Sequence, residues 1–196
     1  MSADDYLWFE PDCRISEAYC LTLIQGLDAS EALARIDAEV VGRATGLKAF
    51  VDTVPDEHGG ERLYIGATTV GDWTLLVEEN GYLGVTQKVI EPLSAGTQVV
   101  SHFKNVNAVD YFYWMVDGDL RLQFEPLFPD TRDGSDPDGQ LDAMERAGFD
   151  LTDSDDVNNL HTAAAFALAE HLTGVRLTNE MLESAEYLCG LAPLKS

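Results

Sequence analysis

Basic residues are scarce in this chain. Twelve Lys and Arg stand against thirty-five Asp and Glu among 196 residues, which gives a formal charge of −23 and an isoelectric point near 4.1. A field of that sign repels nucleic-acid phosphates and anionic lipid, so direct binding to DNA, RNA or a membrane surface is not expected. Cysteine is scarce too. Cys13, Cys20 and Cys189 are odd in number and loosely spaced, which argues against a disulfide framework. No basic-then-apolar leader opens the sequence, where Asp4 and Asp5 stand instead, and no apolar run approaches the ~20 residues that span a bilayer. A reducing, cytoplasmic setting is the expectation. Also missing are a glycine-rich phosphate loop (GxxxxGK[ST] or GxGxxG), HExxH, CxxC and GxSxG, so common nucleotide, zinc and serine-hydrolase chemistries have no support.

Apolar residues, by contrast, are plentiful at 45%, and a chain of this length buries about 70% of its unfolded area. One domain over residues 1–196 is expected. Residues 1–12 are an irregular lead-in whose Tyr6, Leu7, Trp8 and Phe9 are too apolar to stay undocked. Residues 13–40 read as a helical pair. Ser16 caps a first helix to Gln25 with Gly26 as its stop, and Asp28 and Glu31 have capping-box spacing for a second, with Leu33, Ile36 and Val40 inward.

From about residue 47 to 128 the period shifts from 3.6 to 2. Trp73, Leu75 and Val77 alternate with polar residues. Asn80-Gly81 reads as a hairpin turn with Tyr82, Leu83 and Val85 on the return. Strands over 97–104, 111–116 and 120–124 follow, the last two joined by Asp117-Gly118. Residues 136–190 read as helices. Asp136-Pro137 starts one that stops at Gly148, one of about 157–173 stops at Gly174, and Thr178 caps a last one that buries Met181, Leu182, Ala185, Leu188 and Cys189. Helices, then strands, then helices imply an α+β fold. Its expected form is an antiparallel meander of five or six strands, with the N-terminal helical pair and the C-terminal helices packed on the sheet.

Residue types that carry chemistry form only weak constellations. Asp130, Asp133, Asp136 and Asp138 could offer oxygen ligands to Ca²⁺ or Mg²⁺. The spacing is not that of an EF-hand, and Asx turns and helix caps explain the same residues, so no metal is assigned. Ser101 and His102 are adjacent on a strand and face opposite ways, and His102 reads as half-exposed. His161 and His171, ten residues apart on one helix, cannot share a metal from that helix alone. Alternation sends Tyr111 and Tyr113 to one face and Phe112 and Trp114 to the other. One face is core, and a covering helix is expected over the second.

The stretch from Val70 to Leu151 carries GDWTLLVEENGYLG (71–84), LSAGTQVVSHFKNVNA (93–108), FEPLFP (124–129), RDGSDP (132–137) and AGFDL (147–151). With YCLTLIQGLDASEALARI (19–36) and the helix around Ala163–Leu172, it resembles an uncharacterised actinobacterial family classed as a domain of unknown function. The resemblance implies a bacterial cytoplasmic protein and no catalytic residue.

The leading expectation is a non-catalytic acidic module that binds a basic protein partner, as an inhibitor, immunity-type or regulatory factor in bacterial conflict. No cofactor is expected. The candidate surface is Asp130, Asp133, Asp136, Asp138, Asp142, Asp150, Asp153, Asp155 and Asp156. A plainer reading makes the same acids a solubilising surface. An enzyme in which Glu78, Glu79, Asp117 and Asp119 converge at one sheet end, and a small-ligand module in a sheet–helix crevice, are the alternatives.

Overall fold

In the computed structural model, which describes residues 1–54, 62–152 and 159–194, nine strands form one antiparallel sheet. The strands are β1 (Tyr19–Gln25), β2 (Glu39–Thr45), β3 (Arg62–Val70), β4 (Trp73–Glu79), β5 (Gln98–Lys104), β6 (Asp110–Val116), β7 (Asp119–Glu125), β8 (Phe128–Asp133) and β9 (Glu186–Pro193). Their order is β2-β9-β3-β4-β1-β5-β6-β7-β8. The sheet is therefore larger than the five or six strands expected, and only β5–β8 run as a simple meander.

Two segments expected to be helical are strands. The first is β1, at the centre of the sheet, paired with β4 on one side and β5 on the other. Every residue from Tyr19 to Ile24 is buried, so both faces are covered and the period-2 signature is lost. No helical pair exists, because only α2 (Ala29–Arg35) follows. There the capping box is real: Asp28 Oδ1 accepts from the Glu31 amide at 2.8 Å, and Glu31 Oε2 accepts from the Asp28 amide at 2.9 Å. Val40 lies on the outer strand β2, 52% exposed.

The second is β9, which inserts between β2 and β3. The helix capped by Thr178 is only α7 (Asn179–Ser184). The chain then extends, placing Tyr187 and Cys189 in one core cluster and Ala192 in the other. Cys13, Cys20 and Cys189 are free and buried.

Helices cover both faces. One carries the lead-in, α1 (Phe9–Asp12), α3 (Gly46–Asp52), α5 (Leu141–Ala147), α6 (His161–Thr173) and α7. Their Tyr6, Phe9, Leu47, Phe50, Met144, Phe166 and Leu182 share one core with Tyr19, Leu75, Phe112 and Tyr187. The lead-in thus docks as expected. The other face carries α2 and α4 (Gln87–Leu93) over Ile24, Ile65, Leu76 and Val99.

Asn80-Gly81 turns the chain but makes no hairpin. Residues 83–85 form a 3₁₀ turn that leads into α4, because Gly81 and Gly84 press against side chains of the sheet, where a Cβ would not fit. Asp117-Gly118 is the hairpin foreseen, both residues at positive φ. Gly148 and Gly174 end α5 and α6 in the left-handed conformation. Helix α5 starts at Leu141, after a turn over 136–139, rather than at Pro137.

Gly46 joins β2 to α3 at φ +81°, and a Cβ there would stand 2.4 Å from the Glu183 carbonyl oxygen. Gly46→Ala is expected to lower stability by roughly 3 kcal/mol, from left-handed strain plus the backbone clash. Urea unfolding followed by circular dichroism measures it, and an unchanged midpoint would contradict the close approach.

Candidate functional site

Three groups of polar or exposed residues stand out from this scaffold. The first is the acidic stretch expected to meet a partner. Asp130 and Asp133 lie on β8, the last strand of the sheet, both exposed. Asp136 and Asp138 follow in the turn, and Asp142 sits in the first turn of α5. Asp150 lies just beyond α5, bonded to Thr152. Asp153, Asp155 and Asp156 lie outside the described residues. Two of the acids have local cations: Arg132 reaches Asp138 at 3.0 Å, and Arg121 lies 3.7 Å from Asp136. Among the described residues, no ion pair engages Asp130, Asp133 or Asp142.

Beside this edge, no helix among the described residues packs on the sheet face opposite α6 across β7 and β8, where a covering helix was expected over β6. Helices α2 and α4 pack over the other half of the sheet, and the 3₁₀ turn at 83–85 reaches only as far as β6. Tyr111 is 38% exposed, its ring 6.3 Å from Phe103 and nearly parallel, with Tyr113 edge-on at 6.3 Å. A shallow recess of about 550 Å³ opens here, lined by Tyr111, Tyr113, Gln123, Glu125, Phe128 and Asp133, among others. Phe128 is 54% exposed. Glu125 is half-buried, and its carboxyl is pushed up from the ordinary range by that burial and by the charge of Asp110.

The second group is a buried polar chain on the α6 face. His102 is buried, not half-exposed. Register sets it opposite Leu21 of β1 and Phe112 of β6, beneath Phe166 of α6. Its Nε2 lies 3.1 Å from Asp110 Oδ1 and its Nδ1 lies 3.2 Å from the Tyr19 hydroxyl. A carboxylate only accepts, so in the neutral ring Nε2 carries the proton and Nδ1 accepts from Tyr19. Burial first, then the charge of Asp110, raise the Tyr19 phenol well above its ordinary value and keep it a donor. Asp110 Oδ2 has no hydrogen-bond partner among the described residues, and His161 Nε2 stands 3.5 Å away. At the rim, Lys104 bridges Glu10 and Thr162. With Tyr19, His102 and Asp110 at 0%, 2% and 0% exposure, the chain ties β1, β5, β6 and α6 together rather than presenting a reacting group. Sequence reasoning missed it because the segment of Tyr19 was read as a helix and strand pairing brings the three residues together.

The third group lies on the opposite face of β1. Thr22 and Ser101 bond at 2.9 Å, with Cys20 3.5 Å from Ser101. Next to them Glu78 is 2% exposed, its Oε2 accepting from the Leu83 amide at 3.2 Å. The four acids once grouped for catalysis do not converge. Glu78 and Glu79 end β4 at the end of the sheet holding Tyr19, Lys104 and Asp110, while Asp117 and Asp119 sit at the other end, by Gln98 and Val116.

A model of a family of unknown function, DUF6461, matches residues 1–196. The chain belongs to this family. No curated protein and no solved structure matches it significantly. Membership assigns no activity to any residue, so the chemistry of this DUF6461 chain rests on the geometry above. No helix among the described residues is long and apolar enough to cross a membrane.

Burial pushes the Glu78 carboxyl up to about 7, against the pull of the Leu83, Gly84 and Tyr82 amides and the Cys20 thiol. Below its ordinary 4.5 the group is protonated whether the chain is folded or not, and between 4.5 and about 7 only the unfolded chain releases the proton. Stability therefore falls as pH rises through that window. Glu78→Gln cannot ionise, so it should gain on the wild type by on the order of 3 kcal/mol between the two ends of the window. Urea unfolding of both proteins below and above it reads the difference, and a pH-independent difference would refute the buried protonated acid.

Proposed function

We propose that the protein is a non-catalytic binding module that engages a basic protein through the acidic outer edge of its sheet, as an inhibitor, immunity-type or regulatory factor does. One observation carries this reading: Asp130, Asp133, Asp138 and Asp142 are exposed on one continuous segment at the end of the sheet, beside a face that no helix among the described residues covers. Charge of one sign gathered at an edge steers an oppositely charged partner and contributes more to encounter rate and specificity than to raw affinity. The local arginines leave the segment net negative, since Arg121 and Arg132 face the five acids from Asp130 to Asp142.

The competing reading, charge for solubility, makes a different prediction. A fluorescent decalysine peptide is titrated into the wild type at low and at physiological salt. The variant Asp130→Asn/Asp133→Asn/Asp138→Asn/Asp142→Asn is expected to bind about ten-fold more weakly, the sum of several exposed ion pairs. A control that removes the same charge elsewhere, Asp12→Asn/Glu17→Gln/Asp72→Asn/Glu91→Gln, should bind nearly as the wild type does. Equal weakening in both would mean that only total charge matters and would sink the proposal.

A further inference from the structure

The recess on the bare face has a composition of its own. Its walls are the rings of Tyr111, Tyr113 and Phe128, and Glu125 and Asp133 stand among them. Register explains the gathering: Tyr113 pairs with Gln123, and Gln123 in turn with Asp133, so the three lie in one row across β6, β7 and β8. Arg132, the cation among the described lining residues, is drawn off to Asp138 and to the Pro129 carbonyl. The Gly134 amide donates to Asp133 Oδ1 at 2.7 Å, while Oδ2 has Gln123 at 3.4 Å, and no cation pairs with this carboxylate among the described residues.

From this geometry we infer that the recess is the seat of a lysine or arginine side chain belonging to the basic partner, an inference that rests on the reading of an acidic docking edge. Aromatic faces attract a cation through their quadrupole, and the attraction strengthens as water is excluded. A neutral apolar occupant would bury Glu125 and Asp133 with no opposite charge beside them, which is costly even with the amide bonds to Asp133. A cationic one pairs with them and lays its methylene stem on the rings. Burial and the charge of Asp110, opposed by the smaller effect of His161, raise the Glu125 carboxyl, so a cation seated beside it would relieve both. The two features are adjacent, because Asp133 belongs both to the acidic segment and to the lining of the recess.

Decalysine binding separates the two levels of the claim. Tyr111→Ala is expected to weaken binding on the order of five-fold and to leave its salt dependence unchanged, because it removes a ring and no charge. Tyr111→Phe keeps the ring and should restore wild-type affinity. Glu125→Gln should weaken binding while lowering the salt dependence. In NMR spectra of the wild type, the ring signals of Tyr111 and Tyr113 should shift on peptide addition. If Tyr111→Ala binds as the wild type does while the edge variant is weakened, the recess is overturned and the acidic edge stands. If the wild type fails to bind decalysine at low salt, both fail. Thermal melts of each variant confirm that it is folded, as expected for a residue 38% exposed.

Discussion

Burial of β1 on both faces is the constraint from which the rest of the structure follows. In the strand order, β2-β9-β3-β4 lies on one side of β1 and β5-β6-β7-β8 on the other, so this one strand joins two four-stranded halves. Its backbone donors and acceptors are taken up by β4 and β5. Its side chains serve two cores, with Tyr19, Leu21 and Leu23 under α6 and Ile24 under α2 and α4. A buried strand leaves its polar atoms nowhere to go but to each other. Tyr19 therefore donates to His102 on one face, and Thr22 bonds Ser101 on the other. Both of these buried polar groups are consequences of the same strand.

That arrangement also shows what the surplus of acid does not do. Asp110 and Glu78, the two most deeply buried carboxyls among the described residues, are held by His102 and by backbone amides, and neither is exposed. Glu170 is buried too and accepts from the Tyr6 hydroxyl, and the other acids among the described residues lie wholly or partly at the surface. Some have local roles as caps and turns, as Asp28 and Asp117 do, and some offset arginines. The stretch around β8 stands apart because its acids follow one another along an open edge.

What was legible in the sequence was what local chemistry decides. The capping box at Asp28, the cap at Thr178, the stops at Gly148 and Gly174 and the turn at Asp117-Gly118 depend on a few neighbouring residues, and each lies where the residue types demand it. The strands β4 to β7 were legible for the same reason, by alternation or by β-branched and aromatic composition. What was not legible depends on distant partners. A strand buried on both faces, such as β1 or β9, reads as an apolar run with no period, and a preceding cap signal tips it towards helix. The chain after Asn80-Gly81 leaves the sheet because Gly81 and Gly84 must sit on Glu78, Thr22 and Ser101, contacts that no local pattern encodes. The site divides the same way. The run of acids was visible, but the bare face beside it was not, since its exposure depends on where α2 and α4 settle.

An exposed sheet edge with apolar side chains next to it invites a second copy to add its own strand. The edge at β8 counters this with Asp130, Asp133 and Pro129 within one short strand, and its neighbour face with Glu125. Two copies meeting there would each bring carboxylates into a crevice of lowered dielectric, on top of a mutual charge of −23 each. The groups that would repel a second copy are the same ones proposed to accept a cation. Protection of the edge and recognition of a basic partner are therefore not rival explanations of the same acids. What distinguishes recognition is the aromatic row of Phe103, Tyr111 and Tyr113, because shielding an edge requires charge alone and gains nothing from rings left half in water.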